Sequence, residues 1–178
     1  DPSEVVEYMG AMQAQEYRMM RWAVAMRTKA PSAESFRRAY DGGRIIRLHL
    51  LRGPWQLVSC EDYGWMLRLC ASKSISVIRG WMKANKIEIS DEEYSFVRKI
   101  LERVAGDKGS VTKEDFVSAL SDKNMKMDDH RLSYHVRMAE LNGILCSGDL
   151  HPTKATYALA ESKIKNVSFF DREEALAL

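Results

Sequence analysis

Two amides, Gln13 and Gln15, stand in the run Met9-Gly10-Ala11-Met12-Gln13-Ala14-Gln15-Glu16-Tyr17, which is otherwise largely apolar and aromatic. An amide buried without a partner costs about 1–3 kcal/mol, so two of them in such a setting call for a reason. The apolar positions continue through Met19, Met20, Trp22, Ala23 and Met26 at spacings of three and four, which predicts helix. On one continuous helix residues 13 and 15 point about 200° apart. A site shared by both amides therefore requires the helix to start, end or bend near Ala14. The alternative is that the pair caps and cross-links helices inside a core.

A second set of chemically capable residues is cationic. Arg37, Arg38, Arg44, Arg47 and Arg52 gather about one predicted hairpin, an arrangement suited to an anion. Residues 1–90 carry 14 Lys+Arg against 9 Asp+Glu, net +5, and the remainder 13 against 16, net −3. An anion-binding surface is thus expected in the first half. In the second half, a helix capped by Asp128 or Asp129 would show His130, Arg131, Ser133, Tyr134, His135 and Arg137 on its outer face, groups that suit phosphate and base edges. A solvated face balanced by Asp128, Asp129 and Glu140 is the plainer reading of the same residues. His130 and His135 are five apart, off the spacing of a helical metal pair, and no metal is assigned.

The elements that must position these groups follow from periodicity and caps. Glu4 to Met12, Tyr17 to Arg27 and Ala33 to Tyr40 read as helices, the third opened by Pro31-Ser32 and closed by Asp41-Gly42-Gly43. Ile45 to Leu51 and Trp55 to Ser59 are β-rich runs about the turn Arg52-Gly53-Pro54. Alternation along the first strand places Arg47 and His49 on one face with Ile45 and Leu51. Glu61-Asp62-Tyr63 starts a further helix, Trp65 to Leu69, and Ser72 to Asn85 continues helical as an amphipathic connector. In the second half the order is a helix from Glu92 to Ala105 ended by Gly106 and Gly109, a short extended piece at Val111, and a helix capped by Thr112. The Asp128 or Asp129 helix comes next, stopping at Asn142-Gly143, and then strands at 144–146 and 156–159.

Helix, strand, helix, helix and hairpin is the order of a winged helix. The fold class expected is mainly α with short β-hairpins, two winged-helix (helix-turn-helix) modules in tandem. Their expected bounds are 1–90, with the glutamine pair and the connector, and 91–165, leaving 166–178 as a linker or the start of a further domain.

The chain has 178 residues and 46% apolar content, which argues against disorder, and no run approaches the roughly 18 apolar residues of a membrane span. Cys60, Cys70 and Cys146 form no close pair, so neither a disulfide framework nor a cysteine zinc site is signalled. The expected setting is cytoplasmic, with no cofactor and no membrane partner. Cys60 and Cys70 read as small buried hydrophobes, and the methionines as adaptable core packing.

The run Met9 to Met26 with Gln13-Ala14-Gln15, and the block Ile46-Arg47-Leu48-His49-Leu50-Leu51-Arg52-Gly53-Pro54-Trp55-Gln56-Leu57-Val58-Ser59-Cys60-Glu61-Asp62, resemble the AlkZ-type winged-helix DNA glycosylases. The later run Arg137 to Gly148 is similar to that family as well. The paired glutamines, the Leu-Arg-x-x-Trp hairpin and the following Asp occur in order at compatible spacing.

The resemblance implies a partner, double-stranded and damaged DNA, and an activity, excision of alkylated purines by a monofunctional hydrolase. It maps the family's catalytic motif onto Gln13 and Gln15. A hairpin bearing Arg47, His49 and Arg52 would meet the duplex, with Arg44 beside it, Trp55 packed beneath, and Arg131 and Arg137 as further DNA-binding residues. Where family hairpins carry His after that Trp, this chain has Gln56. Family members continue into a third winged helix and a β-rich domain, so the chain is expected to be an N-terminal portion. From another class comes a non-catalytic, DNA-binding or regulatory tandem winged helix in which the third helix of the second module reads a site.

Overall fold

In the computed structural model of the chain, residues 1–51, 53–165 and 172–177 are described. The first helix, α1 (Pro2–Met9), opens on a capping box between Asp1 and Glu4 with Pro2 in the first turn. It ends at Gly10, whose φ of 70° suits glycine and turns the chain out of the helix. Residues that periodicity assigned to helix then form a strand, β1 (Ala11–Gln13). Its partner lies more than forty residues away along the chain, beyond the reach of a local pattern. After α2 (Met20–Ala25), shorter than expected, comes α3 (Ala33–Asp41), capped by Ser32.

β2 (Ile45–His49) and β3 (Trp55–Ser59) complete an antiparallel sheet of order β1-β3-β2. Arg47 lies opposite Leu57, His49 opposite Trp55, and Gln13 opposite Gln56. The hairpin was legible, but its faces were not: every residue of β2 is buried. One face joins Val6, Met12, Phe36, Tyr40 and Leu57 in a core with α1–α3. The other packs Ile46, Leu48 and Val58 against α4 (Cys60–Ala84), one 25-residue helix that runs through both stretches, 65–69 and 72–85, expected to be helical.

The second half repeats the element order. α5 (Asp91–Lys108) runs through Gly106, where the sequence suggested a stop, and ends at Gly109 with φ of 75°. Gly106 faces the Leu159 side chain of the last strand, which an ideal Cβ would meet at 3.4 Å, and does not end the helix. α6 (Lys113–Ser121) carries the Thr112–Asp115 capping box, and α7 (Asp129–Leu141) is capped by Asp128. β4 (Leu145–Ser147) and β5 (Tyr157–Leu159) pair antiparallel, and Val111 bridges to Tyr157. α8 (Ala160–Lys163) follows, and α9 (Arg172–Leu176) lies against α4.

The two halves share structure. Tyr134 and Leu141 of α7 and Cys146 of β4 enter the core beneath α4 and the first sheet. The loop after β4 sends Leu150 into the core of the first half. Its backbone is held there by Asp41, which accepts from Leu150 N at 2.6 Å, and by Arg37, which donates to Leu150 O at 3.1 Å. Among the described residues no helix is long and apolar enough to cross a membrane.

Candidate functional site

β1 decides the orientation of the amides. From Met12 to Gln15 burial alternates, with Met12 and Ala14 inside and Gln13 and Gln15 exposed. That is the period of two of an extended chain, so both amides emerge on one side without any helix end between them. The ladder continues one step past β1, since Ala14 N donates to Trp55 O at 2.8 Å. Trp55 N in turn donates to Gln15 Oε1 at 3.3 Å, so the backbone of one tryptophan grips both the backbone and a side chain of the motif. Gln15 is thereby oriented. No hydrogen bond to the Gln13 side chain is found among the described residues. Glu16, adjacent to the pair, is also exposed and accepts at its backbone carbonyl from Met19 and Met20 at the start of α2.

Behind the amides lies a buried cation. Arg47 is 3% exposed and donates to Ala14 O from Nε at 3.0 Å and from the guanidinium terminus at 2.9 Å. Its guanidinium lies 3.8 Å from the Trp55 ring centre and 5.2 Å from that of Tyr17. Burial lowers its pKa from the ordinary arginine value, and the neighbouring Tyr40 and Glu140 offset this in part. The backbone N of Arg47 donates to Ser147 Oγ of β4 at 2.9 Å.

His49 is 5% exposed, its ring 3.8 Å from that of Trp55, and its Nδ1 is hydrogen-bonded with Glu140 Oε2 at 2.6 Å. Glu140 is fully buried on α7. A small cavity of about 120 Å³ sits beside this pair, lined by His49, Trp55, Lys113, Ser133, Arg137 and Tyr157.

This corrects the placement expected for the hairpin side chains. Arg47 and His49 were read as projecting to phosphate, yet both point inward, Arg47 onto Ala14 and Tyr17 in the segment that joins β1 to α2 and His49 onto Glu140 of α7. Arg52 lies outside the described residues. Arg44 is exposed but bonded to Asp1 Oδ2 at 3.1 Å and Ser3 Oγ at 3.2 Å. Arg131 is clamped by Glu93, with Nε donating at 2.7 Å, and by the Glu88 carbonyl at 2.6 Å.

Of the six residues expected on the outer face of α7, two are buried, three are partly buried and only His130 is exposed. Tyr134 is 3% and His135 1% exposed, covered by α4 and by Glu93 of α5. Arg137 lines the small cavity, and its buried Nε has no hydrogen-bond partner among the described residues. Trp55 thus links Gln15, Arg47 and His49, Arg137 shares the small cavity with His49, and Arg44 and Arg131 are held in intramolecular ion pairs.

Sequence reasoning named Glu140 only as an acid near a solvated face and assigned no role to Tyr17 or to the Trp55 backbone. A signal existed for Glu140: it falls four residues after Val136 and one after Ala139, on the buried stripe of α7. None of the cysteines has thiolate character, since burial raises Cys60 and Cys70 and pushes Cys146 up to about 12.

The helical framework with small antiparallel sheets has a solved counterpart. It is similar to the DNA glycosylase AlkZ of Streptomyces sahachiroi, with a TM-score of 0.68 and 23% identity, over 98% of this chain and 48% of that one. A relative in sequence is an interstrand DNA cross-link repair glycosylase of Streptomyces sahachiroi, 27% identical over 168 residues, 90% of this chain and 44% of the relative. The model of the AlkZ-like family, described as DNA glycosylase AlkZ-like, matches residues 6–178. The chain belongs to the AlkZ-like DNA glycosylase family. It spans about half the length of the relatives it matches.

Proposed function

We propose that the chain is the catalytic-motif portion of a monofunctional DNA glycosylase, built as two winged helices in tandem, that hydrolyses the N-glycosidic bond of cationic alkylated purines in duplex DNA. The observation that carries this reading is the exposure of Gln13 and Gln15 on one side of an extended segment whose intervening carbonyl is fixed from within by Arg47. An alkylated purine already bears positive charge and leaves as a neutral base when the C1′–N bond breaks, so no general acid is needed. The site must orient a water for attack at C1′ and meet the developing sugar cation with carbonyl dipoles, and paired amides can do both.

The two amides divide the work. Gln15, held through its carbonyl by the Trp55 N–H, is pre-set, while Gln13 has its carbonyl and amide available for water and sugar. Each half of the chain supports the winged-helix reading with the order helix, strand or bridge, helix, helix, two strands, and with the first strand pairing to the last. The burial of Tyr134 and His135 and the Arg131–Glu93 clamp count against the rival reading, in which α7 reads a DNA sequence.

The test is release of free base from methylated duplex DNA by the protein at its full natural length. Release of 7-methylguanine with an intact abasic backbone is expected. Strand cleavage without base release, or no release, contradicts the assignment.

A further inference from the structure

We propose that the outer face of α4 is a second contact surface, a track that holds the phosphate backbone of duplex DNA apart from the glutamine site. The inference rests on the nucleic-acid reading above and adds a place where the duplex is held. Arg68, Ser72, Ser76, Arg79 and Lys83 are all exposed, and none of the three cations has an ion-pair partner among the described residues. At about 100° per residue these five positions fall within an arc of about 80°, one face of one helix. From Tyr63 to Ile87 there is no Asp or Glu at all. This contrasts with the arginines of the first hairpin, several of which are neutralised or buried within the protein.

The face is also shaped to receive a backbone. Alongside it runs a groove of about 700 Å³, with Arg68 and Arg79 on the α4 wall and Asn142 and Gly143 on the other. A second hollow of about 480 Å³ shares Arg79 and continues past Lys83 and Lys86 to Glu88, the one acid at its far end. Small side chains, Gly64, Ala71, Ser72 and Ser76, leave the groove open, and the two hydroxyls can donate to phosphate oxygens. The C-terminal end of α7 carries partial negative charge, which favours an anion at the α4 rim rather than against the opposite wall. Glu173 and Glu174 of α9, which also packs on α4, have interactions of their own. Arg68 and Lys83 are about 22 Å apart at 1.5 Å per residue, a length that spans several successive phosphates of one strand.

The discriminating experiment is the salt dependence of duplex binding, read by anisotropy of a labelled, undamaged duplex. Each phosphate contact contributes about −0.9 to the slope of log K against log salt, so Arg68→Gln with Arg79→Gln is expected to flatten the slope by about 2 and to weaken binding at least about tenfold at low salt. Ser72→Glu with Ser76→Glu, which removes no cation, is expected to weaken binding as well. Lys123→Gln with Lys126→Gln, exposed cations in the loop after α6, should leave the slope unchanged.

A wild-type slope retained by both α4 variants overturns this inference and leaves the glycosylase reading standing. An equal loss in the Lys123/Lys126 control overturns it too. So does binding to phosphatidylserine vesicles that exceeds duplex binding and depends on the same arginines. Absence of wild-type duplex binding overturns both proposals.

Discussion

Arg47 holds the carbonyl of Ala14 with two hydrogen bonds, at 3.0 and 2.9 Å, so a buried guanidinium fixes the carbonyl of the one residue that separates Gln13 from Gln15. Lysine offers a point charge in place of a planar fork and cannot reproduce that grip on a single carbonyl while lying flat on Trp55. Arg47→Lys is expected to slow base release about 10- to 100-fold, the scale of a small misplacement of catalytic groups. Duplex affinity should change little. Single-turnover kinetics beside anisotropy measure the two separately, and an equal loss in both would show that Arg47 serves binding instead.

His49 and Glu140 form a buried pair that joins the first sheet to α7 across 91 residues of sequence. Removing one partner leaves the other buried without it, so His49→Leu or Glu140→Leu alone is expected to cost about 3–5 kcal/mol. The double replacement should cost clearly less than the sum of the singles. Urea denaturation of all four proteins gives the cycle, and additive losses would mean the two side chains are not coupled.

How much of this was legible in the sequence depends on the range of the interaction. Caps at Ser32 and Thr112 and the β3 run Trp55 to Ser59 were read correctly, and the α7 cap was narrowed to Asp128 or Asp129, because each is written in a few adjacent residues. β1 was read as helix, since Ala11 to Gln13 become a strand only when β3 lies beside them. The alternation of Arg47 and His49 was right and their direction wrong. Which side of a hairpin faces solvent is decided by the segment that joins β1 to α2 and by Glu140, not by the hairpin itself. The glutamine pair stood out by composition alone, and strand geometry then resolved the angular conflict that a helix imposed.

Leu150 belongs to the second half by sequence and to the core of the first half by position, where it is 5% exposed. Leu150→Ala is expected to cost about 2–5 kcal/mol through lost burial and an incompletely filled cavity. Because the loop also carries the contacts of Tyr17 with His151 and of Arg21 with Pro152, the loss should appear as greater protease access to residues 148–154 as well as a lower Tm. Limited proteolysis with mass spectrometry reads this directly, and unchanged cleavage would mean the loop is held by other contacts.

Acid should loosen the α5–α7 contact in two stages. Burial lowers the pKa of His135 despite the attraction of Glu93, so as pH falls below about 6.5 the unfolded chain takes up a proton before the folded one and stability declines. Hydrogen bonding from Arg131 lowers the pKa of Glu93, and that contribution is lost only below its ordinary value of 4.5. His135→Gln is therefore expected to flatten the fall in Tm between about pH 7 and 5 while leaving the steeper loss below. A Tm that rises on acidification through the first window would reverse the assigned direction of the shift.

The central claim is that Gln13 and Gln15 act on the glycosidic bond while Arg47 and Trp55 hold them in place. It is tested most directly by single-turnover release of 7-methylguanine from methylated duplex by the full-length protein and its Gln13→Ala, Gln15→Ala and double variants, with duplex affinity measured in parallel. Each single change is expected to lower the rate about 100- to 1,000-fold, the usual scale for losing one pre-set dipole. The double variant should fall little further if the amides work as a unit, with affinity within about twofold of wild type. Base release at the wild-type rate in the double variant would contradict the account.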